Sequence, residues 1–366
     1  MPRASNAIDF WRGGALVTIF INHVPGIYYE RFTHRNYSIS DSADLFVFLA
    51  GWALRIVVER SADAPTTLAI VAKLSERAFK IYVAQILISA VALAMLATAA
   101  QWFNDPLILE WHNAAAVFYS PIEAHIGLVL LSHQLGYFDI LPLYVVLMVL
   151  APVIALVHRR APLWLLPASA AIYLAVLVSG TNLPSWPTQG YWFFNPLAWQ
   201  LVFVLGFCLA EPIGVGALVR RNIGWFRIVA LPIVVGGFVI LWWDLWPDPT
   251  RVWQPRLLFV ADKSFMTPMR LVQFMALAAL GSFAYPQFAA WSPRLVGLLS
   301  LLGRNSLNVF CVGSLLSLAG QIIRYIFNGS IRIDTIILVC GVLLLWLTAK
   351  VSEWRETSAS KGSSRS

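Results

Sequence analysis

The chain has 366 residues, of which 59% are hydrophobic and only 12% are charged. Soluble domains carry about 45–50% apolar and about 25% charged residues, so this chain has too few ionisable groups to cover a water-facing surface. The net charge is +8 and the mean hydropathy is +0.72. Soluble, disordered and coiled-coil proteins are therefore excluded, and the sequence predicts an all-α polytopic membrane protein.

Apolar runs predict about ten transmembrane helices, since one span takes about 20 residues. The segment 106–135 is also apolar, but its two Glu and three His residues favour an interfacial or re-entrant helix over a full span. The membrane domain is predicted to cover 1–352, and 353–366 form a cytoplasmic polar tail. The predicted spans are 10–28, 43–58, 80–102, 137–157, 162–180, 194–212, 225–245, 266–286, 303–325 and 334–352.

The distribution of Lys and Arg residues predicts the orientation of these spans. With both termini in the cytoplasm, 18 of the 26 Lys and Arg residues fall on the inside and 8 on the outside, as the positive-inside rule requires. The basic excess is then a property of membrane orientation, and no nucleic-acid partner is predicted. No metal site is predicted, because the six histidines and three cysteines lack metal-ligand spacing.

The first predicted helix carries Arg12 and His23, which are 11 residues apart. At 100° per residue both lie on one face, with a rise of about 16 Å between them. A cation near the cytoplasm and a titratable imidazole deeper in the membrane suit a long anionic ligand that enters from the cytoplasm. The alternative is that Arg12 only reaches lipid headgroups and that His23 is a hydrogen-bonded packing residue.

Three more charged residues have two interpretations each. Asp44 opens the second predicted span, where it either orients His23 or caps the helix together with Asp41. Arg77 and Lys80 share a helix face and either bind phosphate groups or anchor the helix on the cytoplasmic side. The predicted outer loops are also rich in tryptophan, which suits either stacking on sugar rings or the aromatic belt at the membrane interface.

Several stretches resemble a known family. The opening DFWRGGALVTIFINH resembles the first-helix signature of the acyltransferase-3 superfamily of membrane acyltransferases, in which ten residues separate an Arg from a His. Further stretches resemble the OpgC family, which is associated with succinylation of osmoregulated periplasmic glucans. They read THRNYSISDSADLFVFLAG at 33–51, FDILPLYVV at 138–146, FNPLAWQLVFVLG at 194–206, ADKSFMTPMR at 261–270 and LGRNSLNVFCVGSLLS at 302–317.

One motif departs from the superfamily. Its members often carry an Arg-x-x-Arg pair after the second helix, whereas this chain has Arg77-x-x-Lys80. Lysine keeps the charge but lacks the guanidinium fork, so a bidentate phosphate contact is not expected from Lys80.

The resemblance implies an acyltransferase-3-like bundle in the inner membrane of a bacterium. It implies an O-acyltransferase that moves a succinyl group from cytoplasmic succinyl-CoA, a co-substrate rather than a bound cofactor, to a hydroxyl of a periplasmic glucan. His23 would be the general base and Asp44 would orient it, while Arg12, Arg77 and Lys80 would hold the acyl-CoA. The predicted substrate-binding residues are Asn22 and Asn305, as oxyanion donors, and Arg35, Lys263, Arg270 and Arg304, as partners of the succinyl carboxylate. A backbone N–H is the alternative oxyanion donor.

Two alternative functions stay open at this level. A transporter or flippase for a glycan or glycolipid would use the same buried charges as a pathway. A non-catalytic scaffold would leave the spacing of Arg12 and His23 unexplained. The expected partners are acyl-CoA, the glucan acceptor and membrane lipid, with a homo-oligomer left open.

Overall fold

The computed structural model describes residues 6–60 and 67–363. Within these ranges the regular structure is helical, apart from a single antiparallel bridge between Pro184 and Tyr191. The described α-helices are α1 Ala7–Asn22, α2 Ser42–Arg60, α3 Thr67–Phe103, α4 Ala115–Tyr119, α5 Pro121–Val129, α6 Ile140–Arg160, α7 Pro162–Ser179, α8 Pro196–Ala210, α9 Gly214–Arg221, α10 Ile223–Trp242, α11 Pro268–Trp291, α12 Pro293–Arg304, α13 Ser306–Ile326 and α14 Ile331–Ser363.

Each of the ten predicted spans coincides with one of these helices, and the all-α membrane class is confirmed. By length and hydropathy, seven described helices are able to cross a membrane, namely those of α3, α6, α7, α10, α11, α13 and α14. The number rises to eight if the bent pair α8–α9 counts as one span. The predicted number of about ten is not confirmed, because α1 has only 16 residues and α2 carries Asp44, Arg55 and Glu59.

The ambiguous segment 106–135 contains no helix of membrane-spanning length. It folds into a 3-10 helix over Pro106–Asn113 followed by α4 and α5, which have 5 and 9 residues. A full span takes about 20 residues, so the prediction that this segment does not span is confirmed. Whether it lies in the interface or re-enters the membrane stays a prediction.

Three predicted helix boundaries need correction. Helix α1 ends at Asn22 rather than at 28, because Pro25 and Gly26 disfavour continuation of the helix. Helix α3 begins at Thr67 rather than at 80, because the residues before Lys80 are mostly good helix formers, although Lys73, Glu76 and Arg77 interrupt their apolar run. Helix α14 continues to Ser363, so the predicted tail begins inside a helix. Residues 1–5 and 364–366, at the two ends of the predicted domains, lie outside the described residues.

The chain divides into two compact units, with the boundary inside α11. The discontinuous unit consists of Met1–Asn36 and Gly281–Ser366, and the central unit consists of Tyr37–Leu280. In the discontinuous unit α1 packs against α12 and α13. There the Ser317 hydroxyl donates to the Phe20 carbonyl oxygen at 2.9 Å.

The core of the central unit is the crossing of α2 and α8. A Cβ atom on Gly51 would overlap the Phe203 carbonyl group, and one on Gly206 would overlap the Phe48 carbonyl group. Only glycine allows the two backbones to approach this closely, as in other membrane helix pairs built on small residues. The crossing fixes the position of the α2 N-terminus relative to α8.

Candidate active site

The candidate site begins at the N-terminus of α2, where two aspartates form a capping box. Asp41 precedes the helix, and its Oδ1 accepts a hydrogen bond from the Ala43 amide at 2.9 Å. In return, Asp44 Oδ2 accepts from the Asp41 amide at 2.9 Å. This reciprocal arrangement satisfies two backbone donors at the helix start. The helix-cap interpretation of Asp44 is therefore confirmed.

Arg270, in the first turn of α11, binds both aspartates. Its Nε and Nη2 each donate to Asp44 Oδ1 at 3.1 Å, and Nη2 lies 3.0 Å from Asp41 Oδ2. Its Nη1 donates to the Ile39 carbonyl oxygen at 2.7 Å. Asp44 is fully buried, and a buried charge needs this kind of pairing to be tolerated.

Lys263 completes a cluster of two cations and two carboxylates. Its Nζ lies 2.5 Å from Asp41 Oδ2 and 5.3 Å from the ring centroid of Phe194. The Lys263 side chain is 30% exposed, whereas that of Arg270 is 8% exposed. Burial alone would raise the pKa of Asp41, but Lys263 and Arg270 hold that pKa well below its usual range.

The loop that carries Lys263 is held by the N-terminus of α8. The indole of the buried Trp199 donates to the carbonyl oxygens of Lys263 and Ser264, at 3.0 and 3.1 Å. The Asn195 amide donates to the Ser264 carbonyl oxygen at 3.1 Å, while the Asn195 side chain caps α8 by accepting from the Leu197 amide. The backbone at Lys263 is thus fixed, and its side chain extends from a rigid support.

A third carboxylate, Asp139, lies within electrostatic range of Lys263 and Asp41. Asp139 precedes α6, yet its side chain makes no capping hydrogen bond to that helix. Burial raises the pKa of Asp139 to about 6, with Lys263 opposing and Asp41 adding to the shift. A carboxyl group with such a pKa exchanges a proton near neutral pH, which makes Asp139 a candidate for proton transfer.

Four of the stretches that suggested the family meet in this cluster. Stretch 33–51 supplies Asp41 and Asp44, 138–146 supplies Asp139, 194–206 supplies Asn195 and Trp199, and 261–270 supplies Lys263 and Arg270. The N-termini of α2, α6, α8 and α11 therefore lie on one side of the central unit. This agrees with the alternating topology, in which all four predicted spans start on the same side of the membrane.

The structure brings together three of the predicted site residues, Asp44, Lys263 and Arg270. Sequence reasoning placed Asp41 only in a helix cap and did not consider Asp139. Both lie in the quoted family stretches, and each is an acidic residue at the start of a predicted span, so a signal for them was present. The predicted contact between Asp44 and His23 joins residues of different units and stays a prediction.

Other predicted residues lie in the discontinuous unit. Arg12 is half-buried on α1, and His23 follows α1 as its C-cap, with its amide donating to the Ile19 carbonyl oxygen at 3.0 Å. His23 is therefore at the end of the first helix and not within it. The buried Asn22 accepts a hydrogen bond from the Thr33 hydroxyl at 2.8 Å.

Arg304 and Asn305 also have structural partners in this unit. Arg304 donates to Glu353 at 2.9 Å, and the Asn305 side chain donates to the Leu301 carbonyl oxygen at 3.0 Å. Arg35 is exposed. Substrate binding by these three residues stays a prediction.

In the central unit, Arg77 and Lys80 are both exposed on α3. Lys80 lies 2.6 Å from Glu76, one turn earlier on the same helix. An exposed pair of this kind contributes little to stability. The binding of acyl-CoA by these two cations also stays a prediction.

The fold and the cluster define a polytopic helical membrane protein with paired charges buried among its helix ends. A family model described as OpgC protein matches residues 4–357, and the chain belongs to the OpgC family. This confirms the resemblance seen in the sequence and makes the protein an acyltransferase-type membrane enzyme. A search of the curated proteins found no match.

Proposed function

We propose that the protein is an acyl-CoA-dependent O-succinyltransferase that acylates a hydroxyl group of a periplasmic glucan. The observation that carries the proposal is the match of the OpgC family over residues 4–357. We further propose that the protein lies in the bacterial inner membrane with both termini in the cytoplasm. The acyl donor then approaches from the cytoplasm, and the glucan approaches from the side on which α2, α6, α8 and α11 begin.

The proposed reaction uses His23 as general base. The imidazole takes the proton of the sugar hydroxyl as the hydroxyl oxygen attacks the thioester carbonyl carbon. The new C–O bond forms, the C–S bond breaks, and the imidazolium returns the proton to the departing thiolate of CoA. Transfer through a covalent acyl-His23 intermediate is the alternative route. Asn22 or Asn305 stabilises the oxyanion, and Arg12, Arg77 and Lys80 hold the acyl-CoA.

Among the candidate partners of the succinyl carboxylate, the geometry favours Lys263. Arg270 is buried and donates to Asp44 and Ile39, while Arg304 is paired with Glu353. Lys263 is more exposed, and an ammonium group has three donors. Lys263 is thus the cation of the cluster best able to accept a second carboxylate.

The proposal is tested with the purified protein in detergent, supplied with succinyl-CoA and periplasmic glucan. We expect release of free CoA that depends on the glucan, together with a glucan mass increased by one or more succinyl groups. A transporter or flippase would leave both the acyl-CoA and the glucan mass unchanged. That result would overturn the proposal.

The role of Lys263 is tested by comparing two donors. Lys263→Met should lower kcat/KM for succinyl-CoA by about tenfold more than for acetyl-CoA, because only succinyl carries a second carboxylate. Lys263→Arg should retain most of the preference. Lys73→Met, which removes an exposed lysine of α3, is the matched control. An equal loss with both donors would exclude Lys263 from recognition of the acyl group.

A further inference from the structure

The segment before α8 forms a short hairpin in which Tyr191 and Phe193 are exposed. The Trp192 amide donates to the Leu183 carbonyl oxygen at 2.9 Å, and Tyr191 pairs with Pro184. Exposure then alternates along the chain. Tyr191 and Phe193 are 70% and 46% exposed, whereas Trp192 and Phe194 are 7% and 4% exposed.

The backbone bends at Phe193 and Phe194, and these two rings meet edge to face with their centroids 4.9 Å apart. Trp192 and Phe194 pack inward, and Phe194 makes an edge contact with Trp199 at 4.9 Å. The hairpin is therefore anchored by its inner rings. Tyr191 and Phe193 remain exposed, and in the chain they are separated by the buried Trp192.

The exposed rings adjoin the charged cluster. Lys263 Nζ lies over the Phe193 ring, 5.5 Å from its centroid, and the same ammonium group binds Asp41. An apolar ring face thus stands next to charged hydrogen-bonding groups. A sugar presents the complementary surface, because its C–H face is apolar and its rim carries hydroxyl groups.

We propose that Tyr191 and Phe193 form a stacking platform for a sugar ring of the glucan acceptor, beside Lys263 and Asp41. The inference rests on the proposed function, and it assigns the acceptor side of the reaction to the hairpin. If the same two residues belong only to the aromatic belt at the membrane interface, their substitution will not affect glucan binding. This difference decides between the two.

Leucine substitutions separate the two roles, because leucine keeps the apolar surface and removes the ring. We expect Tyr191→Leu and Phe193→Leu to weaken binding of a fluorescently labelled glucan oligosaccharide to the purified protein by about tenfold each. The KM for glucan should rise by a similar factor, and the KM for succinyl-CoA should stay the same. Phe193→Tyr and Tyr191→Phe, which keep the rings, should bind as the wild type does.

Trp164→Leu is the matched control, since Trp164 is an exposed aromatic residue at the opposite end of α7 from the hairpin. It should leave glucan binding unchanged. If the wild type transfers succinyl groups to glucan and the leucine variants bind it equally well, the platform is excluded while the proposed function stands. If the wild type neither binds nor modifies glucan, both are overturned.

Discussion

Charged side chains stabilise both units, but the two units use them differently. Two ion pairs of the discontinuous unit each join one arginine to one carboxylate: Arg304 binds Glu353 at 2.8 Å, and Arg324 binds Asp334 at 2.8 Å. In the central unit two cations and two carboxylates share one cluster, in which Asp41 binds both Lys263 and Arg270.

The difference separates a structural use of charge from a use that suits chemistry. A one-to-one pair satisfies its members and connects two segments of chain, as Arg304 connects α12 to α14. The shared cluster contains an accessible cation, Lys263, and has the acid Asp139 nearby.

The strongest challenge to this division is His23, because it belongs to the unit with the one-to-one pairs. We expect His23→Ala to lower succinyl transfer by about 10²–10⁴-fold, the usual contribution of a positioned base. The variant should insert into the membrane as the wild type does, and its melting temperature should be that of the wild type. The measurement is CoA release at saturating substrates, with the exposed His125→Ala as control. Normal turnover in His23→Ala would remove His23 from the proposed mechanism.

The two kinds of charge arrangement should differ in the unfolding free energy that is lost when their arginine is removed. Arg270→Met leaves the fully buried Asp44 without its cation, and we expect a loss of about 3–5 kcal/mol in unfolding free energy. Arg304→Met leaves the partly exposed Glu353 without this arginine, and we expect a loss of about 1 kcal/mol or less in unfolding free energy. Denaturation in detergent measures both variants.

A double variant keeps this second prediction independent of general packing damage. Asp44→Leu removes the stranded charge, so Arg270→Met combined with Asp44→Leu should recover part of the loss. Equal losses in Arg270→Met and Arg304→Met, with no recovery in the double variant, would contradict the distinction between the two units.

The smallest expected effect is that of Asp139→Asn on the melting temperature, and this effect depends on pH. Its pKa is about 6 in the folded protein against an ordinary value of 3.8, so the unfolded chain releases this proton first as pH rises. The contribution of Asp139 to the free energy of unfolding therefore falls as the pH rises from about 4 to about 6, and it stays low at higher pH. Asp139→Asn should raise the melting temperature more at about pH 7.5 than at about pH 4.

The exposed Asp248→Asn is the control for Asp139, because the burial that raises the pKa of Asp139 is missing there. The pKa of Asp248 is instead lowered, by hydrogen bonds from Thr250. Its substitution should therefore not raise the melting temperature more at the higher pH. The same pH dependence in both variants would show that burial does not raise the pKa of Asp139.

The helices were predictable because the apolar runs of a membrane protein are long and its loops are short. The predicted boundaries were wrong where hydropathy alone does not determine the end of a helix. Pro25 and Gly26 end α1 before its apolar run is finished. Helix α3 begins at Thr67, although charged residues interrupt its apolar run before Lys80. Hydropathy detects the membrane-facing segment, whereas the helix ends depend on local backbone preferences.

The site was predictable only in part for a related reason. Spacing along one helix placed Arg12 and His23 on one face, but no spacing rule connects Asp41 with Lys263, which are 222 residues apart. That contact depends on tertiary packing, above all on the crossing of α2 and α8. Asp139 was missed because its importance comes from its surroundings and not from a motif.

The hydrogen bonds from Trp199 to the backbone at Lys263 have a consequence for the choice of acyl donor. The indole of Trp199 holds the carbonyl oxygens of Lys263 and Ser264, so the ammonium group moves only by rotation about the bonds of its own side chain. Under the proposed binding of the succinyl carboxylate by Lys263, we expect donors with a terminal carboxylate one carbon nearer or farther to have a lower kcat/KM than succinyl-CoA.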